Sequence, residues 1–287
     1  MITDILISNK KQILLGVTLL LFLGSVAVFV GYPDKNRQND TAVNSLPSFR
    51  SSVTRPENVV SYPSERLDLS RWKLTLPVAT DGDSEEPRDI LQPELATYQM
   101  NPWFFLTSDK KGVAFRAPVN APTTANSDYP RTELREMTQD GTENAYWPST
   151  NGTHTLFLDQ AITAVPENKP DVVAGQIHGD DDDLLVIRLE YPKLYITRSK
   201  SDVYTLDENY TLGKRFTVKF VAEDGKIMVY YNNSAAPVYT LEKEVKEAYF
   251  KAGVYTQSNC ETEEEENLCS ANNYGEVVIY QATVTHE

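Results

Sequence analysis

The chain has 287 residues and a formal net charge of −14, with hydrophobic residues at 40% and aromatic residues at 10%. No basic stripe runs along it, which excludes a nucleic-acid partner. Its two cysteines have no CxxC partner, which excludes a structural zinc site, and the acidic surplus stands, on its face, against a polyanionic ligand.

Residues 13–30, "ILLGVTLLLFLGSVAVFV", carry no charge and as a helix would cross a hydrocarbon core. Lys10 and Lys11 precede the run and favour a cytoplasmic N-terminus. Residues 1–31 therefore read as a signal anchor, or as a cleaved signal peptide with Ser25 and Ala27 at the small-residue positions; a buried core helix is the competing reading. Either targeting reading makes the rest of the chain extracytoplasmic, secreted or anchored, with membrane contact only through an uncleaved N-terminal helix. Residues 32–64 are rich in Pro, Ser, Asn and Asp without sustained periodicity, which is linker composition. The remainder, 65–287, has the size of one all-β domain and is expected to be a monomer.

From residue 65 onward the pattern is one of short alternating strands. "TVKFVAEDGKIMVYYN" predicts a hairpin turning at Asp224-Gly225, and "LLVIRLEYPKLYITRS" a second around Pro192-Lys193. "QPELATYQM" predicts one short helix and "LEKEVKEAY" a weaker one, while "GEVVIYQATVT" closes the chain as a strand. Many short strands with almost no helical periodicity predict an all-β jelly-roll sandwich. In an exported chain, Cys260 and Cys269, separated by "ETEEEENL", read as a disulfide closing a short loop.

Three segments break the apolar-in, polar-out pattern. "YPRTELREM" (129–137) puts Arg131, Glu133 and Arg135 on one strand face. "GQIHG" (175–179) puts Gln176 and His178 on one face across Ile177. "YFKAGVYTQS" (249–258) aligns Tyr249, Lys251, Gly253, Tyr255 and Gln257. Each alone fits a solvated or salt-bridged sheet surface. If all three line one concave sheet, they supply guanidinium groups suited to carboxylates, plus an imidazole and a phenol able to move protons.

With these motifs in this order, the sequence resembles the alginate lyases of polysaccharide lyase family 7, whose signature regions read here as "RTELRE", "QIH" and "YFKAGVYTQ". The likeness runs from "RWKLTLPV" at residue 71 through "TTANSDYPRTELREM" to "NYGEVVIYQATV", leaving out the N-terminal run and linker. The resemblance implies a jelly roll with a concave substrate groove and β-elimination on a 1,4-linked uronate polymer, without metal or cofactor. It assigns Arg131 and Gln176, with His178 contributing, to neutralising the C5 carboxylate, and Tyr255 to protonating the leaving O4. A phenol, with a pKa of about 10, is normally protonated and fits that task. On mannuronate the C5 hydrogen and O4 lie on one side, so Tyr255 serves as base and acid. On guluronate they lie on opposite sides, and His178 is better placed as base. Arg135, Lys251 and Gln257 are expected to bind substrate, and Gly253 to leave room for a sugar ring or simply to serve a curved strand. Ile177 between Gln176 and His178 implies acceptance of guluronate-containing stretches.

A basic groove on an acidic protein is consistent, because surface charges more than about 8 Å apart are screened at physiological salt. "DDDD" (180–183) and "EEEE" (263–266) hold much of the surplus and read as solvated acidic loops or calcium ligands. Asn39, Asn151, Asn209 and Asn232 begin N-x-[ST] sequons, and His154 and His286 receive no assignment. Three rivals remain at this stage. They are a non-catalytic uronate-binding module, a lyase on another polyuronate such as glucuronan, and a glycoside hydrolase. The last lacks the E-x-D-x-E strand that would set two carboxylates about 5 Å apart.

Overall fold

A computed structural model describes residues 60–80, 86–179, 183–199 and 201–287. Alternation of apolar and polar residues becomes fifteen strands among the described residues, and every sheet neighbour is antiparallel. One sheet has eight strands. In spatial order they are β10 (Ser201–Asp207), β9 (Lys193–Arg198), β8 (Asp183–Glu190), β7 (Asp171–His178), β14 (Tyr249–Thr256), β5 (Arg131–Glu136), β1 (Trp72–Ala79) and β2 (Pro87–Ile90). The other has seven: β13 (Tyr239–Glu242), β12 (Lys226–Tyr231), β11 (Phe216–Glu223), β6 (His154–Ala164), β15 (Tyr274–His286), β4 (Val113–Pro118) and β3 (Phe104–Leu106). Leu134, Ile177 and Phe250 of the first sheet pack with Leu158, Phe220 and Ile279 of the second, all fully buried. Each such side chain contributes about 1.5–3 kcal/mol by leaving water. This is the expected jelly-roll sandwich.

The β11–β12 hairpin turns at Asp224-Gly225, with φ of 49° and 72°, the left-handed pair that a type I′ turn needs. The β8–β9 turn is Tyr191-Pro192, one residue earlier than expected, because Glu190 pairs with Lys193. Of the two predicted helices, the first is a 3-10 turn at Glu94–Thr97 and the second is absent. In that second segment Leu241 pairs with β12, the Val245 amide donates to Ser149 Oγ (2.9 Å), and Ala248 bridges Trp147. Its backbone groups are satisfied across the fold rather than along a helix.

The apolar run 13–30 lies outside the described residues, as does the linker stretch up to residue 59. Val60 to Ser64 are described: Pro63 is buried, and Ser64 Oγ donates to the Ala96 carbonyl (2.5 Å). Cys260 and Cys269 form a disulfide. Within its loop the acidic run is not simply solvated. Glu263 is fully buried, accepting hydrogen bonds from Ser258 Oγ, from Asn273 Nδ2 (2.7 Å) and from the amides of Asn168 (2.9 Å) and Lys169 (3.2 Å). It is a loop anchor. Among the described residues no group of three or more His, Cys, Asp or Glu could hold a metal ion, and residues 180–182 of the other acidic run are not among them.

The two histidines without an assigned role meet in the structure. Buried Glu136 accepts from Trp147 Nε1 (3.0 Å) and the Phe250 amide (2.9 Å), and its Oε1 stands 2.6 Å from His286 Nε2. His286 Nδ1 is 2.7 Å from His154 Nδ1, and His154 Nε2 is 2.9 Å from the Asn151 carbonyl. Each of these contacts takes one proton between its two atoms. The chain fastens the end of β15 to β6 and β5.

Burial, with the neighbouring His286 adding to it, holds the His154 pKa below its ordinary value despite the Asn151 carbonyl. The unfolded chain therefore takes up a proton at His154 before the folded one does. The corresponding stability is present above about pH 6.5 and is lost as pH falls through the lower folded value. Urea unfolding of the parent and of His154→Gln at pH 7.5 and pH 5 measures this, and the variant is expected to lose less stability on acidification than the parent.

Candidate active site

The three segments that break the alternation lie side by side, because β14 runs between β7 and β5. Lys251 is paired with Gln176 on one side and Arg135 on the other, and Tyr255 with Val173 and Arg131. Two bulges rephase this floor. Between these pairs β14 takes one residue more than β7, and β7 takes one more than β8. Gly253 (φ +136°) and Gly175 (φ +111°) sit inside them, in the left-handed region that favours glycine. A Cβ on Gly253 would collide with the Thr132 carbonyl oxygen and stand 2.9 Å from Glu133 Cα and 3.1 Å from the Phe115 ring. This glycine therefore serves the close approach of β5 and the bend of β14. It does not open space for a sugar, because the missing side chain would point at the core.

Glu133 is the centre of the floor. Its side chain is 1% exposed and receives Lys251 Nζ at 2.6 Å and Arg131 Nη1 at 3.1 Å on Oε2, and Gln176 Nε2 at 2.5 Å on Oε1. Burial pushes its carboxyl up, but the Lys251 and Arg131 charges outweigh burial and hold it below the ordinary carboxylate range. Burial brings the Lys251 ammonium down to about 8, with Glu133 working against that fall and Arg131 adding to it.

Around this centre each predicted residue has a defined place. Arg131 lies with its guanidinium carbon 3.9 Å from the centre of the Tyr255 ring, and the Tyr255 hydroxyl is 2.8 Å from Ser127 Oγ. His178 stacks on Tyr249 with ring centres 4.9 Å apart. Its Nδ1 is 3.1 Å from the Gly179 carbonyl. Arg135 is almost fully buried between Tyr249 (4.1 Å) and Tyr146 (4.8 Å), and donates to the carbonyls of Glu136 and Ala145. Gln257 donates to the Thr256 carbonyl at 3.2 Å.

Two adjoining hollows of about 350 and 580 Å³ form one cleft over this floor, sharing Asn126, Arg131, His178 and Lys251. Tyr255, Gln176 and Gln257 line the first, while Arg135 and Tyr249 line the second. All seven predicted site residues border the cleft. At its floor Arg131, Arg135 and Lys251 stand against Glu133, a positive surplus there, while Lys73, Arg188, Glu86, Asp89, Asp128 and Asp183 line its walls. Glu133, Ser127 and Tyr249 were not singled out as site residues by sequence reasoning. The Arg-Glu-Arg row was the only signal for Glu133, and Ser127 touches Tyr255 across 128 residues of chain.

The sequence model of a family described as alginate lyase matches residues 67–286. Among solved structures, the alginate lyase AlgAT5 of polysaccharide lyase family 7 is 47% identical with a TM-score of 0.72, over 79% of this chain and 99% of that one. The alginate lyase of Corynebacterium sp. is 46% identical with a TM-score of 0.73, over 79% and 98%. A variant of the family 7 alginate lyase A1-II′, solved in complex with the substrate GGMG, is 25% identical with a TM-score of 0.65, over 79% and 97%.

Removing the Glu133 charge leaves Arg131 and Lys251 buried together without a counter-ion. Glu133→Gln is expected to destabilise the domain by about 3–5 kcal/mol, measured by urea unfolding at pH 7. A change within experimental error would show that Glu133 is not the electrostatic support of this floor.

Proposed function

The chain belongs to the alginate lyases of polysaccharide lyase family 7, and from that premise we propose how its cleft carries out the elimination. The C5–H bond of a uronate breaks, a C4=C5 double bond forms, and the C4–O4 bond breaks as O4 takes a proton. Charge builds on the C5 carboxylate during proton removal, so donors aimed at that carboxylate lower the barrier. Arg131 and Gln176 take this role, both held by Glu133 at the floor of the cleft. A guanidinium has five N–H donors, and Arg131 gives one of them to Glu133, leaving others to pair with a carboxylate.

Tyr255 is the acid toward O4. On guluronate, His178 Nε2 takes the C5 proton from the face opposite the leaving oxygen. On mannuronate, Tyr255 serves on both steps. The observation that carries this reading is that the His178 imidazole and a phenol stacked on Arg131 border one cleft with the carboxylate donors. Tyr249, gripped by Arg135 and stacked on His178, sets the plane of the imidazole. Arg135, Lys251 and Gln257 bind further uronates, Arg135 chiefly through its charge since its donors go to main-chain carbonyls.

The preferred substrate is a stretch containing guluronate. Ile177 is fully buried, so it influences that choice only through the placement of Gln176 and His178 on either side. The apolar run 13–30 carries the catalytic domain out of the cytoplasm to its polymer, and the Cys260–Cys269 disulfide suits an oxidising compartment.

Ultraviolet absorbance of the unsaturated product, followed on guluronate-rich and mannuronate-rich blocks, tests the assignments. Tyr255→Phe is expected to lose at least about 10²-fold in kcat on both blocks. His178→Ala is expected to lose about 10²–10⁴-fold on guluronate blocks and less on mannuronate blocks. Equal loss on both would remove His178 as the guluronate base, and a parent-like Tyr255→Phe would remove Tyr255 as the acid. The pH dependence of KM tests the binding role of Lys251, whose ammonium loses its charge as pH rises through about 8. KM for the polymer is expected to rise above that pH, and a flat KM from pH 7 to pH 9 would take Lys251 out of substrate binding.

A further inference from the structure

Ser127 lies outside every role assigned above, yet its hydroxyl reaches the one oxygen on which the elimination turns. A serine hydroxyl has one proton to give and two lone pairs to accept with. Ser127 Oγ has three neighbours: the Tyr129 amide at 3.3 Å, the Tyr129 carbonyl at 3.1 Å and the Tyr255 hydroxyl at 2.8 Å. The amide can only donate and fills one lone pair. One proton and one lone pair are left for two partners, which allows two arrangements.

In the first, Ser127 donates to the Tyr129 carbonyl, and the phenol of Tyr255 rests its own proton on the remaining serine lone pair. In the second, the serine proton turns to the Tyr255 oxygen, and the phenolic proton is released for transfer. Only the second places a donor on Tyr255 when that oxygen becomes an anion. The frame of the rotor is fixed from several sides. The Ser127 amide donates to the Thr124 carbonyl at 2.9 Å, and Asn259, next to the disulfide-bonded Cys260, donates to the Asp128 carbonyl at 3.0 Å. Lys169 Nζ donates to the Tyr129 hydroxyl at 3.1 Å. The Arg131 guanidinium carbon lies 3.9 Å from the centre of the Tyr255 ring.

We propose that Ser127 is a positioning residue for Tyr255, turning its hydroxyl from the Tyr129 carbonyl to the phenolic oxygen as that oxygen gives up its proton, and turning back when the proton returns. The serine keeps its own proton throughout. The Tyr255 proton goes to the leaving O4 and is replaced from C5 on mannuronate, or from solvent after His178 has taken the C5 proton on guluronate. This inference rests on Tyr255 as the proton-transfer residue, and it holds for either block.

The test uses the full-length protein, with kcat and KM for alginate measured across pH for Ser127→Ala, Ser127→Thr, Tyr255→Phe and the Ser127→Ala/Tyr255→Phe pair. A hydrogen bond to a charged oxygen predicts a fall of about 10- to 100-fold in kcat for Ser127→Ala, with KM within about twofold. The limb of the kcat profile that follows the phenol is expected to move to higher pH, and Ser127→Thr to recover most of the rate. In the Tyr255→Phe background, read at high enzyme concentration, removing the serine hydroxyl is expected to have no further effect, since it acts only through the missing phenol. An unchanged kcat and pH profile in Ser127→Ala would overturn the proposal. So would an equal loss in both backgrounds, or a loss without a pH displacement that threonine does not repair, since these mark a purely structural serine. A parent-like Tyr255→Phe would remove the premise rather than the serine's contact, and the two failures are told apart by that single variant.

Discussion

Glu133 sits beneath the cleft with both carboxylate oxygens occupied, by Lys251 and Arg131 on one and by Gln176 on the other. Its three donors come from three adjacent strands, β14, β5 and β7, so one buried charge fixes the relative positions of side chains that the backbone ladder alone would leave free to rotate. Two buried cations beside each other would repel strongly in a medium of low polarity, and the carboxylate turns that repulsion into a shared attachment. Arg131 is thereby held over the Tyr255 ring, and Gln176 is held at the floor with its amide oriented. The placements of Tyr255, proposed as the acid, and of Arg131 and Gln176, proposed as carboxylate donors, both depend on this contact.

The second constraint is the bend of the sheet. A strand of uninterrupted alternation would give the core and the cleft equal shares of β7 and β14. The bulges at Gly175 and Gly253 instead turn consecutive residues toward the core side, so that Val173 and Gln176, or Lys251 and Tyr255, face the cleft at irregular spacing. Left-handed backbone at both points is open to glycine at little cost and strained for other residues. The same glycines let β5 and the opposite sheet approach closely, with Leu158 Cδ1 only 2.7 Å from where a Gly175 Cβ would stand. Packing and catalytic geometry are thus one structural fact at these positions.

Charge follows the same local logic. The chain as a whole is acidic, yet the floor of its cleft gathers Arg131, Arg135 and Lys251 near Glu133, with Glu86, Asp89, Asp128 and Asp183 along its walls. Short screening lengths make the local surplus, rather than the total, the field that a polyuronate meets inside the cleft. At the far end of β5 a second buried carboxylate, Glu136, contacts His286, which in turn contacts His154. Arg135 donates to the Glu136 carbonyl, which joins the two charged centres along one strand.

Much was legible in the residues themselves. Alternation set the all-β class, Asp224-Gly225 set a hairpin, and the two cysteines predicted their disulfide, because each of these is decided by residues close together in the chain. The shared faces of Arg131, Glu133 and Arg135, or of Gln176 and His178, followed from the two-residue period of a strand. Which strands adjoin did not follow. Alternation fixes which side chains share a face, whereas sheet order and bulge position arise from pairings across a hundred residues or more. For that reason Glu133 read as one member of a salt-bridged surface row, Gly253 equally as space for a sugar or as part of a curved strand, and Glu263 as part of a solvated or calcium-binding run. The contact of Ser127 with Tyr255 and the meeting of His154 with His286 have the same origin. The sequence by itself determined the fold class, the local turns and the set of chemical groups. Only the tertiary structure decided which of those groups touch, because a buried charge or a hydroxyl takes its partner from whatever strand the long-range pairing brings beside it.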